Sequence, residues 1–283
     1  MIIFFLLLGL IVVLFWLWQN KMIDITYDHY HSDKLDNAFD GFKIALISDF
    51  HNACYGKDQH FVLNKIRQTD ADVLFVVGDM IDRYRSKNIE RALCFMRGLT
   101  DIAPVYYVPG NHEARMDDYK SFVQHLTEYG VTVLNDEVVT LKHADAAIDI
   151  IGINDPLFYA TIYAAMPQYY DKKLADLKKE MIGNVSFLLI HRPEFLDVYT
   201  RNQIDLVFAG HAHGGQIRLP GLGGLYAPHQ GFLPKYTDGL YTEEDTTMLV
   251  SRGLGNSGYA LMRLFNRPHL AVLTLCCDDD KEK

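Results

Sequence analysis

Apolar residues in this chain gather in short blocks separated by polar stretches with helical spacing. Residues 42–47, 73–77 and 105–108 are apolar runs too short for helices, and they predict buried strands. Residues 59–69 and 88–98 carry helical patterns between those runs, and 116–129 predicts a third helix. Alternation of this kind predicts βαβ units around a parallel sheet. Shorter strands are expected at 131–134, 138–141 and 148–153, followed by an amphipathic helix over 167–182 with Leu174, Leu177 and Met181 on one face. Further strands are expected at 185–190, 206–209, 248–251 and 270–275, while the Gly- and Pro-rich stretch 220–239 predicts loop. No internal repeat is visible.

The first eighteen residues have a different character. Residues 1–18 contain no charged side chain and end on Trp16 and Trp18. As a helix they span ~27 Å, close to a hydrocarbon core of about 30 Å, with the tryptophans where interfacial aromatics belong. A buried core helix or a signal peptide is the competing reading, but a basic start and a small-x-small cleavage site are missing. The expectation is an uncleaved single-span anchor (residues 1–20) in the cell membrane. Lys21 and Lys34 follow the span and no Lys or Arg precedes it, which favours a cytoplasmic domain. Residues 21–40 are polar and rich in Asp, His and Tyr, and are expected to be a juxtamembrane linker in which His29 and His31 are solvated. One domain is expected over 41–275, then a charged tail over 276–283.

Composition narrows the function classes. The 283 residues are 49% hydrophobic and 22% charged, which is globular. A net charge of −9 argues against a partner bound through a broad basic surface, nucleic acid above all. Cys54, Cys94, Cys276 and Cys277 form no C-x-x-C, so a structural zinc knuckle is not expected.

Candidate chemistry sits just after the apolar runs. Asp49 and His51 follow the first, Asp79, Asp82 and Arg83 the second, and Asn111, His112 and Glu113 the third. His191 follows the run at 185–190, and His211 and His213 follow 206–209. In a parallel sheet these strand ends meet along one edge. Taken singly, the motifs read more readily as turns, a cap or a satisfied histidine, His211-x-His213 being stronger because i and i+2 share a face in extended chain. Taken together, two Asp, one Asn and four His make a mixed N/O donor set that suits Mn, Zn or Fe better than Ca or Mg. Seven donors exceed one tetrahedral ion and suit two ions sharing a carboxylate. A Walker A loop and a dinucleotide fingerprint are both missing, and the surroundings of Ser257 do not form G-x-S-x-G.

The ordered series D-x-H, G-D-x-x-D, G-N-H-E, a single His and G-H-x-H resembles the calcineurin-like metallophosphoesterases over roughly residues 42–275. The segment 210–216 (GHAHGGQ), with 251–255 (SRGLG) and 266–268 (NRP), resembles the membrane-associated bacterial phosphodiesterase branch, with His269 where that branch has an acidic residue. The resemblance implies an α/β fold, the four-layer α/β/β/α sandwich. It implies two divalent metal ions, one on Asp49, His51 and His213, the other on Asn111, His191 and His211, with Asp79 bridging. It further implies attack of a metal-bound hydroxide on phosphorus, His112 as acid or hydrogen-bond donor, Asp82 orienting His112, and Arg83 on a phosphate oxygen. The expected substrate is a phosphodiester or pyrophosphate, lipid-linked in view of the anchor. A phosphomonoesterase or phosphoprotein phosphatase is the alternative, and a non-catalytic scaffold is disfavoured by the complete donor set. His60, His125, His143 and His269 read as structural or surface. His229 is a candidate substrate contact, and the aromatic stretch 157–170 reads as core packing or a lid.

Overall fold

Two six-stranded sheets lie face to face in the computed structural model, which describes residues 1–83, 89–183, 185–256 and 263–277. In the first sheet β1 (Asp24–Ser32), β2 (Lys43–Ile47), β3 (Val73–Val77), β4 (Val105–Val108) and β5 (Thr132–Val133) are joined by the last strand of the chain. The second contains β6 (Glu137–His143), β7 (Ala146–Gly152), β8 (Ser186–Leu189) and β9 (Leu206–Ala209). Two short antiparallel pairs follow, β10 (Arg218–Leu219) with β11 (Gly223–Gly224) and β12 (Tyr226–Ala227) with β13 (Gly231–Phe232). The chain then adds β14 (Gly239–Glu243) and β15 (Thr246–Val250) to the second sheet and β16 (His269–Cys277) to the first. The orders are β1-β16-β2-β3-β4-β5 and β14-β15-β9-β8-β7-β6.

Period-two alternation assigns each strand face to a layer. Ile44, Leu46, Phe75, Phe208 and Leu273 point between the sheets, whereas Ala45, Ile47, Leu74 and Val76 point outward, under helices. Phe75 and Phe208 meet edge to face across the sandwich, with centroids 4.9 Å apart, and each fully buried ring is worth about 1.5–3 kcal/mol. Helices α2 (His60–Arg67), α3 (Glu90–Thr100) and α4 (Tyr119–Glu128) cover the first sheet. Helices α5 (Met166–Leu177) and α6 (Leu196–Arg201) cover the second. The result is the expected four-layer α/β/β/α sandwich.

The amino-terminal helix, α1 (Ile2–Lys21), is exposed along its apolar length and is long and apolar enough to cross a membrane. Its last turn is held by the domain. Arg263 N donates to Asn20 Oδ1 (2.7 Å) and Asn20 Nδ2 donates to Arg263 O (3.3 Å), both buried.

The polar stretch after α1 is the main departure from expectation. Residues 21–40 were expected to be a linker, but Asp24–Ser32 forms β1, paired in parallel with β16 from Asp24↔His269 to Ser32↔Cys277. The strand is polar because it lies at a sheet edge and buries little beyond Tyr30. Phe39 continues into the core and packs on Phe42. At the other end, β16 runs through Cys277, so the expected tail loses its first two residues to the sheet, and 278–283 lie outside the described residues. Helix α6 and strand β14 were not anticipated. The first has six residues and the second begins inside the predicted loop.

Candidate metal centre

Five strands of the two sheets end at one place, and the backbone after three of them, β2, β3 and β9, enters the left-handed region. Asp49, His51, Asp79, His211 and His213 all have positive φ, between 49° and 65°. Left-handed backbone at five non-glycine residues is costly and persists only where the surroundings enforce it, a pattern concentrated at functional sites. The enforcement is visible. Asp49 N donates to Gly78 O and His51 N to Asp79 O, each at 3.0 Å, which locks the first loop to the second. Gly78 and Gly110 touch so closely that a Cβ on Gly78 would run into the Gly110 backbone, and one on Gly110 into Asp79.

Glu113 ties two of these loops together. Fully buried, it accepts from Asp79 N (2.8 Å), Gly110 N (2.8 Å) and Ile81 N (3.1 Å). The sequence placed Glu113 in a motif without giving it a task. Its part is to hold the Asp79 and Asn111 turns in register.

Two groups of donors that could hold a metal ion meet at Asp79. Asp49, His51 and His213 form one, and Asp79, His191 and His211 another, all buried, and His51 and Asp79 also group with buried His112, overlapping both. His51 Nε2 lies 3.2 Å from His213 Nε2, which is 3.4 Å from Asp49 Oδ1. On the other side His191 Nε2 lies 3.2 Å from Asp79 Oδ2 and 3.1 Å from His211 Nδ1. Asp79 Oδ2 is 3.8 Å from His51 Nε2 and so faces both groups.

Backbone carbonyls set the histidine tautomers. His51 Nδ1 donates to Ile81 O (3.2 Å) and His191 Nδ1 to Val77 O (2.8 Å), so both turn Nε2 toward the centre. Burial holds His213 down at about 3 and, with the Arg192 charge beside it, holds His211 well below the ordinary value. Burial also opposes charge on His191, but the Asp79 and Asp49 carboxylates outweigh it and raise that imidazole to about 10. Asp49 Oδ1 and Asn111 Oδ1 are buried without a hydrogen-bond partner among the described residues. Such atoms are costly unless something binds them. Orphaned oxygens, inward imidazoles and a shared carboxylate fit divalent cations.

His112 closes one side. Its ring lies edge-on to His51 with centroids 4.6 Å apart. Arg83 N donates to Nδ1 (3.3 Å), which leaves the proton on Nε2, 3.9 Å from Asp79 Oδ2. Burial lowers the His112 pKa. Asp82 Oδ1 stands 3.8 Å from Nδ1, beyond hydrogen-bond distance, so its influence there is electrostatic. Arg83 itself is exposed at the rim.

The profile of the calcineurin-like phosphoesterases matches residues 42–215. The chain belongs to the calcineurin-like phosphoesterase family. It is a metallophosphoesterase-type hydrolase. It is 30% identical over 261 residues to the uncharacterized metallophosphoesterase YkuE of Bacillus subtilis, covering 91% of this chain and 87% of that one. Against the phosphodiesterase YaeI of Escherichia coli it is 26% identical, covering 85% and 84%. Against a transmembrane protein with metallophosphoesterase domain from Bos taurus it is 27% identical, covering 86% of this chain but 54% of the relative.

This metallophosphoesterase carries further buried charge that the sequence did not single out. Arg192, next to His191, is fully buried, with Nε 2.7 Å from Asp155 Oδ2 and Nη1 3.2 Å from Glu194 Oε1. The same Nη1 is 3.4 Å from His211 Nε2 and 3.1 Å from His229 Nδ1. His229 stacks between His211 and Tyr163, with centroids 5.4 and 4.6 Å away. Burial and Arg192 hold His229 neutral, with a pKa of about 4. A charged residue following an expected ligand was the available signal for Arg192. The aromatic stretch divides, since Tyr170 is core while Tyr163 caps the His229 stack. The SRGLG and NRP segments brace the site. Gly255 N donates to Asp49 O, Asn266 Nδ2 donates to His213 O, and Arg252 and Arg267 both pair with Asp24. His269 lies against Thr26 and β1, and Ser257 lies outside the described residues.

Proposed function

We propose that this chain is a membrane-anchored phosphodiesterase or pyrophosphatase working with two divalent ions. The carrying observation is Asp79, whose Oδ2 faces His51 on one side and His191 on the other. Asp49, His51 and His213 would hold one ion and Asn111, His191 and His211 the second, with Asp79 common to both. When bound, such a pair lowers the pKa of a water and neutralises charge on the phosphoryl oxygens. The rest falls to side chains. His112 directs Nε2–H toward the centre and donates to the departing oxygen, and the Arg83 backbone keeps that tautomer. Arg83 at the rim is placed to meet a phosphate oxygen, and the Asp82 carboxylate favours the protonated His112 ring, which becomes neutral as it gives its proton up. Neutral His229 borders the same space and offers a hydrogen-bonding edge beside His211.

The anchor reading rests on α1, and the lipid-linked substrate on its geometry. A cleft of about 390 Å³ is lined by His51 and Asn52 together with Asn20 and Lys21 from the end of α1. On this reading the cleft beside His51 opens where a span would meet its headgroups.

The test is turnover by purified full-length protein, stripped and then reloaded with Mn, Zn, Fe or Mg. Lipid phosphodiesters, soluble diesters, pyrophosphates and monoesters are compared. Faster turnover of diesters or pyrophosphates supports the reading, and faster turnover of monoesters overturns it.

A further inference from the structure

We propose that the paired hairpins over 218–233, together with Phe265, dip into the same bilayer leaflet that α1 enters, and that this second contact holds the metal-centre cleft at headgroup depth. The inference rests on the reading of α1 as a membrane span.

Depth is set by two contacts between α1 and the loop after residue 262. Arg267 lies over the ring of Trp18 at 5.3 Å, and Phe265 packs on Phe15 with centroids 6.0 Å apart. Phe15 is three residues nearer the middle of the span, ~4.5 Å deeper at helical rise. A cation meets the interfacial tryptophan and an aromatic ring meets the next turn inward, the order in which an interface passes from headgroups to acyl chains. With α1 across a bilayer, Phe265 cannot stay in water.

The hairpins are fastened to that loop. Ile217 bridges Leu264, and Arg218 N donates to Leu264 O at 2.9 Å. Leu225 N donates to Ile217 O and Leu233 N to Leu225 O, which makes the two hairpins one unit. Their outward side chains are bulky and apolar. Leu222 is 69% exposed, Phe232 78% and Leu233 62%, with Tyr226 also exposed. None of the three buried clusters includes them. Bulky apolar side chains held outward on one hydrogen-bonded unit, Tyr226 and Phe232 in contact, mark an interface. The partner is the leaflet beside it, because Phe265 joins the patch to an apolar helix already exposed along its length.

Docking there has a consequence for the centre. His229 lies in the turn between β12 and β13, its ring against His211, so the element that enters the leaflet also borders a candidate metal ligand. The cleft at His51 is lined by Asn20 and Lys21 at the end of α1. Two contacts, unlike one helix, fix the tilt of the domain and turn this cleft toward phosphates in the headgroup layer.

The experiment uses the full-length chain in lipid nanodiscs with its four cysteines replaced by serine. Single nitroxide labels are placed through Leu222→Cys, Phe232→Cys, Val12→Cys and Asp176→Cys, and thermal melting confirms folding of each. Collision with oxygen, which concentrates among acyl chains, is compared with collision with a water-soluble nickel chelate. Labels at 222 and 232 are expected to favour oxygen as the label at 12 does, while the label at exposed Asp176 favours nickel. Labels at 222 and 232 matching 176, with 12 still in lipid, overturn the docking face and leave the anchor standing. A label at 12 open to nickel overturns both. Labels at 222 and 232 shielded from both reagents point to a protein partner or a second copy and overturn the bilayer assignment.

Discussion

Removing the Glu113 carboxylate tests how the centre is built. Glu113 is fully buried and accepts three backbone N–H groups, from Asp79, Gly110 and Ile81, at 2.8, 2.8 and 3.1 Å. A buried donor left without an acceptor costs about 1–3 kcal/mol. Glu113→Ala orphans all three, roughly 3–9 kcal/mol, and water entering the emptied space brings the loss toward the lower end. Glu113→Gln keeps one oxygen, which can serve Asp79 N and Gly110 N together, and turns its amide nitrogen against Ile81 N–H. That loses one acceptor, about 1–3 kcal/mol. At roughly 2–4 °C per kcal/mol for a domain of this size, Gln lowers the melting temperature by roughly 2–12 °C and Ala by more. Because the same bonds register Asp79 with Asn111, metal affinity should fall in the same order. Fluorescence-detected melting of metal-loaded full-length protein in detergent, with elemental analysis of each variant, reads both effects. A Glu113→Ala protein that melts within about a degree of wild type and keeps its metal would refute the reasoning.

His112→Ala should keep its metal and lose ~10²–10⁴-fold on an alkyl diester but much less on a nitrophenyl diester, whose leaving group needs no proton. Equal losses on the two substrates would remove the leaving-group role. Asp155→Asn leaves buried Arg192 with Glu194 as its remaining carboxylate and should destabilise by about 3–5 kcal/mol in a melting experiment. A change near zero would show that Glu194 alone balances the charge. Deleting residues 1–22 should leave a folded, dispersible domain, whereas deleting 1–33 removes β1, bares the edge of β16 and should give aggregate. Equal behaviour of the two truncations by size-exclusion chromatography would contradict the strand's role.

Much of the centre was legible because donors at strand ends leave a linear trace. The runs at 73–77 and 206–209 match β3 and β9, and the polar residues after them converge in space. Strand β1 was illegible for a physical reason. At a sheet edge a strand's stability comes from backbone bonds to one neighbour, so its side chains need not be apolar, and DITYDHYHS reads as linker. Glu113 and Arg192 were missed because their partners lie far along the chain or on the backbone. Glu113 serves the N–H groups of Asp79 and Ile81, and Arg192 pairs with Asp155, 37 positions away. The Phe232 and Leu233 patch gave no warning, since isolated apolar residues in a Gly-rich loop form no period.

Metal content measures the central claim directly. Full-length protein saturated with manganese or zinc, passed through a desalting column and analysed for metal per chain, should retain about two equivalents. Asp49→Ala should retain about one, and Asp79→Ala, which removes the carboxylate facing both groups, should retain least. A wild-type chain that never exceeds one equivalent, or an Asp79→Ala chain that binds as much as wild type, would contradict a pair of ions sharing Asp79.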